Sequence, residues 1–432
     1  MTALGKGTFR SLTNPNYRIW AAGALVSNIG TWMQRIAQDW LVLTQLTHNN
    51  ASAVGIVMSL QFVPQLLLLP WSGWAADRFD RRKVLFATQG ALGLISLVQG
   101  VLVIAGVAQL WHIYVLAFLF GCAAAIDLPA RNTFVSDIVG EADLSNAVGL
   151  NSTSFNAARM IGPAVAGAMI VVVGTGWVFV INALSFVAMI AALCFVRTSQ
   201  FRRPRQAMRA NGGLAEGFRY IWKRPDLFAI LAMAFLICTF GLNFPIFIST
   251  MSVREFHAGA GQYGVSVTIM AIGTLVGALL SASRRSPTMQ LLLVAAAAFG
   301  IGCMLAALAP DYLLFGAALI LIGLCAQTFN TSCNSLLQLS TAPEVRGRAL
   351  AIYLAVALGG TPLGAPLVGW VADAFGPRWA LGVGAASGIG AALVAIVYLV
   401  RHRNLRLRFS AGRLRLTFEE AAPWPIAENM QP

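Results

Sequence analysis

Apolar runs long enough to cross a bilayer recur from one end of this 432-residue chain to the other. Twelve can be counted, over residues 18–43, 53–75, 84–106, 111–130, 149–173, 177–196, 227–250, 262–282, 289–309, 312–336, 349–372 and 379–400. A helical span needs about 20 mostly apolar residues, and in hydrocarbon its backbone polar groups must be satisfied within the segment. The repetition predicts an all-α membrane protein of twelve transmembrane helices. Hydrophobic residues make up 58% of the sequence and charged ones 11%, which excludes an ordinary soluble domain. The first sixteen residues lack an apolar core and a cleavage-like site, so no removable signal peptide is expected.

A net charge of +14 would point to nucleic acid in a soluble protein, but here its placement points to lipid. With the N-terminus set inside and the loops assigned alternately to the two sides, 26 of the 30 basic residues fall on the inner side. The exceptions are Arg35 and Arg159 within spans, and Arg254 and Arg378 near outer ends. That bias is the positive-inside rule, and it predicts both termini cytoplasmic in a multi-pass inner-membrane protein. Its basic loops would face an anionic inner leaflet, and no nucleic-acid partner is expected. All six cysteines lie in apolar runs without metal-ligand spacing, so neither a metal nor a disulfide is predicted. None of the three lysines sits in a phosphate-binding Gly-rich loop, so no enzyme activity on ATP and no cofactor is expected. Uphill work would draw on an ion gradient, with protons as the partner.

Residues 197–226 form the one long polar connection, and its second part, Leu214–Lys223, has helical apolar spacing. This organises the chain as a cytoplasmic N-terminus (1–16), a six-helix bundle (17–196), a basic linker with an interfacial helix (197–226), a second six-helix bundle (227–400) and a basic tail (401–432). The tail carries six arginines up to Arg415 and reads as lipid-hugging and then disordered. The halves echo each other at a nearly constant offset: Gly55 with Gly264, Glu141 with Glu344, Pro163 with Pro366. Parallel repeats of this kind place a binding site at the midplane between them.

The densest cluster of charge is Gly73-Trp-Ala-Ala-Asp77-Arg78-Phe-Asp80-Arg81-Arg82-Lys83. The pattern Gly-x-x-x-Asp-Arg-x-x-Arg-Arg resembles the loop between the second and third helices of major facilitator superfamily transporters. That resemblance implies that Asp77 caps the span facing it, near Arg346–Ala349, and that Arg81 pairs with an acid at the inner end of span 4. Asp127, in Asp127-Leu-Pro-Ala-Arg131, is the expected partner. A related pattern, Gly369-Trp-Val-Ala-Asp373 with Arg378 beyond it, recurs between spans 11 and 12 as an outer echo. The counterpart Gly277–Arg285 has Ser281 where the acid would be, so Asp77 alone would carry the acid side of the inner latch.

Charged groups inside spans are costly and usually functional. Span 1 carries Asn28, Trp32, Arg35 and Asp39 at steps of 4, 3 and 4, on one helical face. Span 5 carries Ser152, Asn156 and Arg159 at the same steps, with Phe155 beside them. Gln61 and Gln65 in span 2, and Gln327, Thr331 and Asn334 in span 10, complete a set of polar stripes. These read either as the walls of an aqueous cavity or as interhelical hydrogen bonding without one. Asp39 is the candidate coupling carboxylate; alternatively it forms a permanent pair with Arg35 one turn away. Arg159 either attracts an anionic substrate or a carboxylate, or bonds to backbone carbonyls with its stem packed.

Around Arg159, the set Gly149, Ala158, Gly162, Pro163, Ala166 and Gly167 resembles the span-5 antiporter motif of drug–proton antiporters, with Ala at two usual Gly positions. Trp32-Met-Gln, Asp39-Trp40-Leu-Val-Leu and Ala158-Arg-Met-Ile-Gly-Pro are similar to the branch of enterobactin-type siderophore exporters and macrolide efflux proteins. The resemblance implies a monomeric major facilitator fold of two six-helix bundles. It also implies multidrug-type or siderophore efflux, by proton-coupled antiport of a small amphipathic substrate. An importing symporter or uniporter, and a non-transporting receptor or scaffold, are the alternatives.

Overall fold

The computed structural model describes residues 9–68, 71, 78–197, 214–284, 286–403, 405–410 and 413–418. Helix starts are written in local chemistry. The Asn14 side chain accepts the amides of Asn16 and Tyr17 at 2.9 and 3.4 Å, and Pro15 fits the first helical position, so α1 begins there (Pro15–Trp40). A π-helical turn over Leu41–Leu46 extends it. Asn50 caps α2 (Ala51–Leu67) through the Ala53 amide, and Asp80 caps α3 (Arg81–Ile104) through that of Lys83. Then follow α4 (Leu110–Val139), α5 (Glu141–Val173) and α6 (Thr175–Phe195). The one-residue joint between α5 and α6 is Gly174 at φ +87°, a left-handed turn that a side chain would strain.

The later helices are α7 (Leu214–Trp222), α8 (Pro225–Leu236), α9 (Phe244–Thr250), α10 (Ala260–Ala282), α11 (Met289–Leu308), α12 (Tyr312–Ser340), α13 (Arg346–Phe375) and α14 (Pro377–Arg403). α7 covers the linker segment whose apolar spacing predicts a helix. Ten of the described helical stretches are long and apolar enough to cross a membrane. α1 is absent from that set, since its polar stripe lowers its hydropathy, and α2 is a shorter apolar helix.

The tail differs from expectation. Leu405–Ser410 and Arg413–Phe418 form an antiparallel hairpin with Leu405 opposite Phe418 and Ser410 opposite Arg413. Both segments alternate apolar with polar residues, which is the period of a strand; the end read as disordered, beyond residue 418, lies outside the described residues.

The chain divides into two compact units. The first holds residues 1–209, 245–271 and 365–377; the second holds 210–244, 272–364 and 378–432. In the first, Tyr17, Trp20, Leu85, Phe134, Met189 and Leu193 pack α1, α3, α4 and α6 together. The Tyr17 hydroxyl donates to the Ala147 carbonyl at 2.8 Å, which ties α5 to this core. In the second, Phe299, Phe315, Phe329 and Tyr353 are buried, and the Tyr353 hydroxyl donates to Asn330 Oδ1 at 2.6 Å. Large apolar side chains such as Val171, Val172 and Leu313 stand exposed, as a hydrocarbon environment allows.

Candidate functional site

The span-1 stripe meets three different environments. Asn28 accepts from Arg131 Nη1 at 3.1 Å. Trp32 lies edge-on to Phe155, with ring centroids 5.8 Å apart. The Arg35 guanidinium carbon is 4.9 Å from the Trp32 ring centroid, and that of Arg159 is 5.7 Å from the same ring. Asp39 is buried and accepts from the Tyr263 hydroxyl at 3.3 Å, while Tyr263 stacks on Trp40. No ion pair within 4 Å joins Arg35 to Asp39, so the permanent pair is not formed here; one helical turn separates them and each has turned to an aromatic partner.

A cleft of about 390 Å³ opens in this bundle, and Asn28, Arg35, Gln65, Ser152, Phe155 and Asn156 all line it. Six sequence-predicted positions thus share one wall. Gln61 does not join them: its backbone packs on Gly121 and its carbonyl accepts from Gln65 Nε2. The α12 stripe lies in the second unit, where Gln327 Nε2 donates to Thr331 Oγ1 at 3.1 Å and Asn334 bonds to Gln338. Thr331 and Gln338 line a separate cleft of about 290 Å³ with Ser281 and Arg284.

Asp127, the acid of the cleft lining, is buried and held by three donors. It accepts Thr88 Oγ1 and Gln89 Nε2, both at 2.6 Å, and Arg131 Nε at 2.7 Å. Arg131 reaches on to Asn28 and to Ser27 Oγ at 3.1 Å. This corrects the expected Arg81–Asp127 pair. Arg81 instead binds Asp137 at 2.6 Å. Asp137 lies ten residues beyond Asp127 on α4, about 15 Å nearer the helix end at 1.5 Å per residue. Arg82 donates to the carbonyls of Leu193 and Cys194, placing a cation on the C-terminal end of α6. Gly73 and Asp77 lie outside the described residues; Arg78 begins the described part of this loop.

In the outer echo the acid caps a helix. Asp373 accepts the Ala51 and Ser52 amides at 2.8 Å each, and Ser52 Oγ at 2.6 Å, capping α2. Gly369 makes this approach possible, because a Cβ there would stand 2.6 Å from the Ala51 carbonyl oxygen. The charge partner is Arg254, at 3.2 Å, which sequence reasoning set aside as an outer-end residue. Arg378 is turned elsewhere and donates to the Ala307 carbonyl at 3.1 Å.

The antiporter-motif residues do not act alike. Ala158 is fully buried, and a Cβ on Gly162 would meet Trp32 Cβ at 2.6 Å. Gly167 packs on Ala260 and Gly264, and the Pro163 carbonyl also lies against Gly264. Gly149 faces open space. Sequence reasoning missed a buried amide network: Ser96 Oγ donates to Gln34 Oε1 at 2.6 Å, Asn182 also donates to Gln34, and Gln99 bridges Gln34 and Gln38 at 3.4 Å. The available signal was Gln34 and Gln38 one turn apart on the face of α1 away from the charged stripe.

Helices of this length, a polar cleft inside one bundle and buried charges facing it form the framework of a membrane transporter. The sequence profile of the family described as transmembrane secretion effector matches residues 6–414. The chain belongs to that family of major facilitator superfamily transporters. It is 25% identical to a staphyloferrin A transporter of Staphylococcus aureus over 383 residues, covering 88% of this chain and 94% of the relative. It is 29% identical to the multidrug efflux pump Tap of Mycobacterium tuberculosis over 368 residues, covering 82% and 86%. A D-xylose–proton symporter superposes with a TM-score of 0.70 at 13% identity, over 89% of this chain and 97% of that one, which establishes the shared fold.

Proposed function

We propose that this transporter is a proton-coupled exporter of a small amphipathic organic molecule, working by alternating access across the cytoplasmic membrane. The observation that carries this reading is the polar cleft of the first unit, bounded by Arg35, Asn28, Ser152 and Asn156 next to the aromatic pair Trp32 and Phe155. Aromatic faces take the apolar body of a substrate, and amides orient its polar groups. The relatives named as an efflux pump and as a siderophore transporter support outward transport.

Twelve spans, with α1 and α2 completing the ten apolar helices, and cytoplasmic termini follow from the charge asymmetry. The protein would act as a monomer, with the proton gradient as its sole energy source. Asp39 is the proposed proton carrier, a buried carboxylate held by one hydroxyl rather than by a cation. Asp77 is the proposed acid of the inner latch. Its counterpart position is Ser281, whose hydroxyl donates to the Gly277 carbonyl of its own helix at 2.8 Å.

The test uses the purified chain in proteoliposomes with a pH gradient imposed in either direction. The substrates come from an accumulation panel of antibiotics and siderophores. Export predicts uptake into vesicles that are acidic inside, lost in Asp39→Asn. Uptake driven only by an alkaline interior would identify an importing symporter instead, and gradient-independent movement a uniporter.

A further inference from the structure

The charges in and around the cleft do not cancel. Asp127 and Arg131 neutralise one another at 2.7 Å. That leaves two guanidinium groups, Arg35 and Arg159, at 4.9 and 5.7 Å from the Trp32 ring, with no carboxylate within 4 Å of either. The nearest acid in sequence is Asp39, one turn beyond Arg35, and it bonds to Tyr263. Even with Asp39 ionised, the group carries one positive charge in excess, at membrane depth where uncompensated charge is expensive. An aromatic face recovers only part of that cost. Two like charges beside one ring also repel each other. What removes the excess is an anion delivered by the cargo.

We infer that Arg35, Arg159 and Trp32 form a subsite for the carboxylate of an amphipathic organic acid. The acid's planar body stacks against Trp32 or Phe155, and the two guanidinium groups take its oxygens. Guanidinium binds carboxylate through paired donors in a fixed fork, which an ammonium cannot reproduce. The arrangement disfavours cationic amphipaths, whose charge would meet two others of the same sign. This inference rests on the transporter reading above and narrows its substrate class.

The test measures binding, so it depends on neither direction nor coupling. The purified full-length chain is placed in phosphatidylcholine nanodiscs and titrated with 1-naphthylacetate and with 1-naphthylethylammonium, which share a ring and differ in charge. The carboxylate is expected to bind at least about tenfold more tightly than the ammonium, and Arg159→Gln or Arg35→Gln to weaken it by about tenfold, the scale of one charge-assisted contact. Arg159→Lys, which keeps the charge and loses the fork, is expected to recover only part of the affinity. Equal binding of the two probes by the unsubstituted protein would overturn the inference without any variant. So would unchanged affinity in folded Arg159→Gln and Arg35→Gln proteins. Adding phosphatidylglycerol separates a soluble acid from a lipid headgroup: unchanged affinity supports the substrate subsite, and displacement of the probe overturns it. If the carboxylate binds as expected but no gradient moves it, the exporter reading fails and the subsite stands. If cationic drugs are exported and the carboxylate does not bind, the subsite fails and the exporter stands.

Discussion

Two arginines of the first unit stand in opposite circumstances. Arg131 is bound by Asp127, Ser27 and Asn28, and Asp127 is bound in turn by Thr88 and Gln89, so α1, α3 and α4 are knitted through one neutral cluster. Arg159 has an indole ring and, on the same ring, a second guanidinium for company. Arg131 has a counter-charge and two further polar partners, which hold it in place within the fold. A charge without a carboxylate destabilises the resting fold and is retained for what it does to a passing molecule. The presence of a counter-charge, rather than burial, separates the two roles.

The largest effect expected is at the Asp127–Arg131 cluster. Asp127→Asn leaves the Arg131 guanidinium buried without its counter-charge, and breaking such a pair from one side costs about 3–5 kcal/mol. The variant should express poorly and melt well below the parent in a detergent thermal-shift assay; a parental melting curve would remove the structural role. Next comes the Asp373 cap, which holds two amides and Arg254. Asp373→Asn should cost about 1 kcal/mol locally, the worth of a helix cap, and speed amide exchange at Ala51–Ala53 while exchange in α4 is unchanged. Uniform acceleration across both helices would mean that the residue supports the whole fold.

Gly162→Ala is of the same order. Its methyl group meets Trp32 Cβ, so the indole must shift, at about 1–3 kcal/mol for overpacking. Transport should fall while expression holds, and an unaltered rate would detach Trp32 from the substrate path. Gly149→Ala should be silent in transport and melting alike, since nothing lies within 4 Å of an added Cβ. Loss of transport there would show that the motif acts at Gly149 in a conformation other than this one.

How much of this could be read from the chain depends on what kind of signal each residue leaves. Arg35, Asp39 and Arg159 announce themselves as charges inside apolar runs, and five of the predicted cavity positions line one cleft together with Arg35. The partner of Arg81 was not legible. Asp127 and Asp137 lie on one helix, and only the depth at which α3 begins decides which of them an arginine at its first residue can reach. The pattern around Asp373 was visible as an echo, but its use as a cap on α2, with Arg254 as counter-charge, depends on tertiary placement of segments more than 300 residues apart in the chain. Gln34, Gln99 and Asn182 were overlooked because neutral amides interrupt hydropathy less than charges do. In the tail, the arginines drew attention from the alternation that sets the hairpin. Of the twelve apolar runs, ten correspond to described helical stretches long and apolar enough to cross a membrane; α1, whose polar stripe lowers its hydropathy, and the shorter α2 fall outside that set.

The division of labour between the arginines is tested most directly by making one substitution at both places. Arg131→Gln and Arg159→Gln are purified side by side, and each preparation is assayed for melting temperature and for 1-naphthylacetate binding. Arg131→Gln should lower the melting temperature by several degrees, because Asp127 loses its partner. Arg159→Gln should leave it unchanged or raise it, because an uncompensated charge has been removed, and should weaken binding by about tenfold. If Arg159→Gln melts as early as Arg131→Gln and binds the acid as the parent does, Arg159 is structural and the account is contradicted.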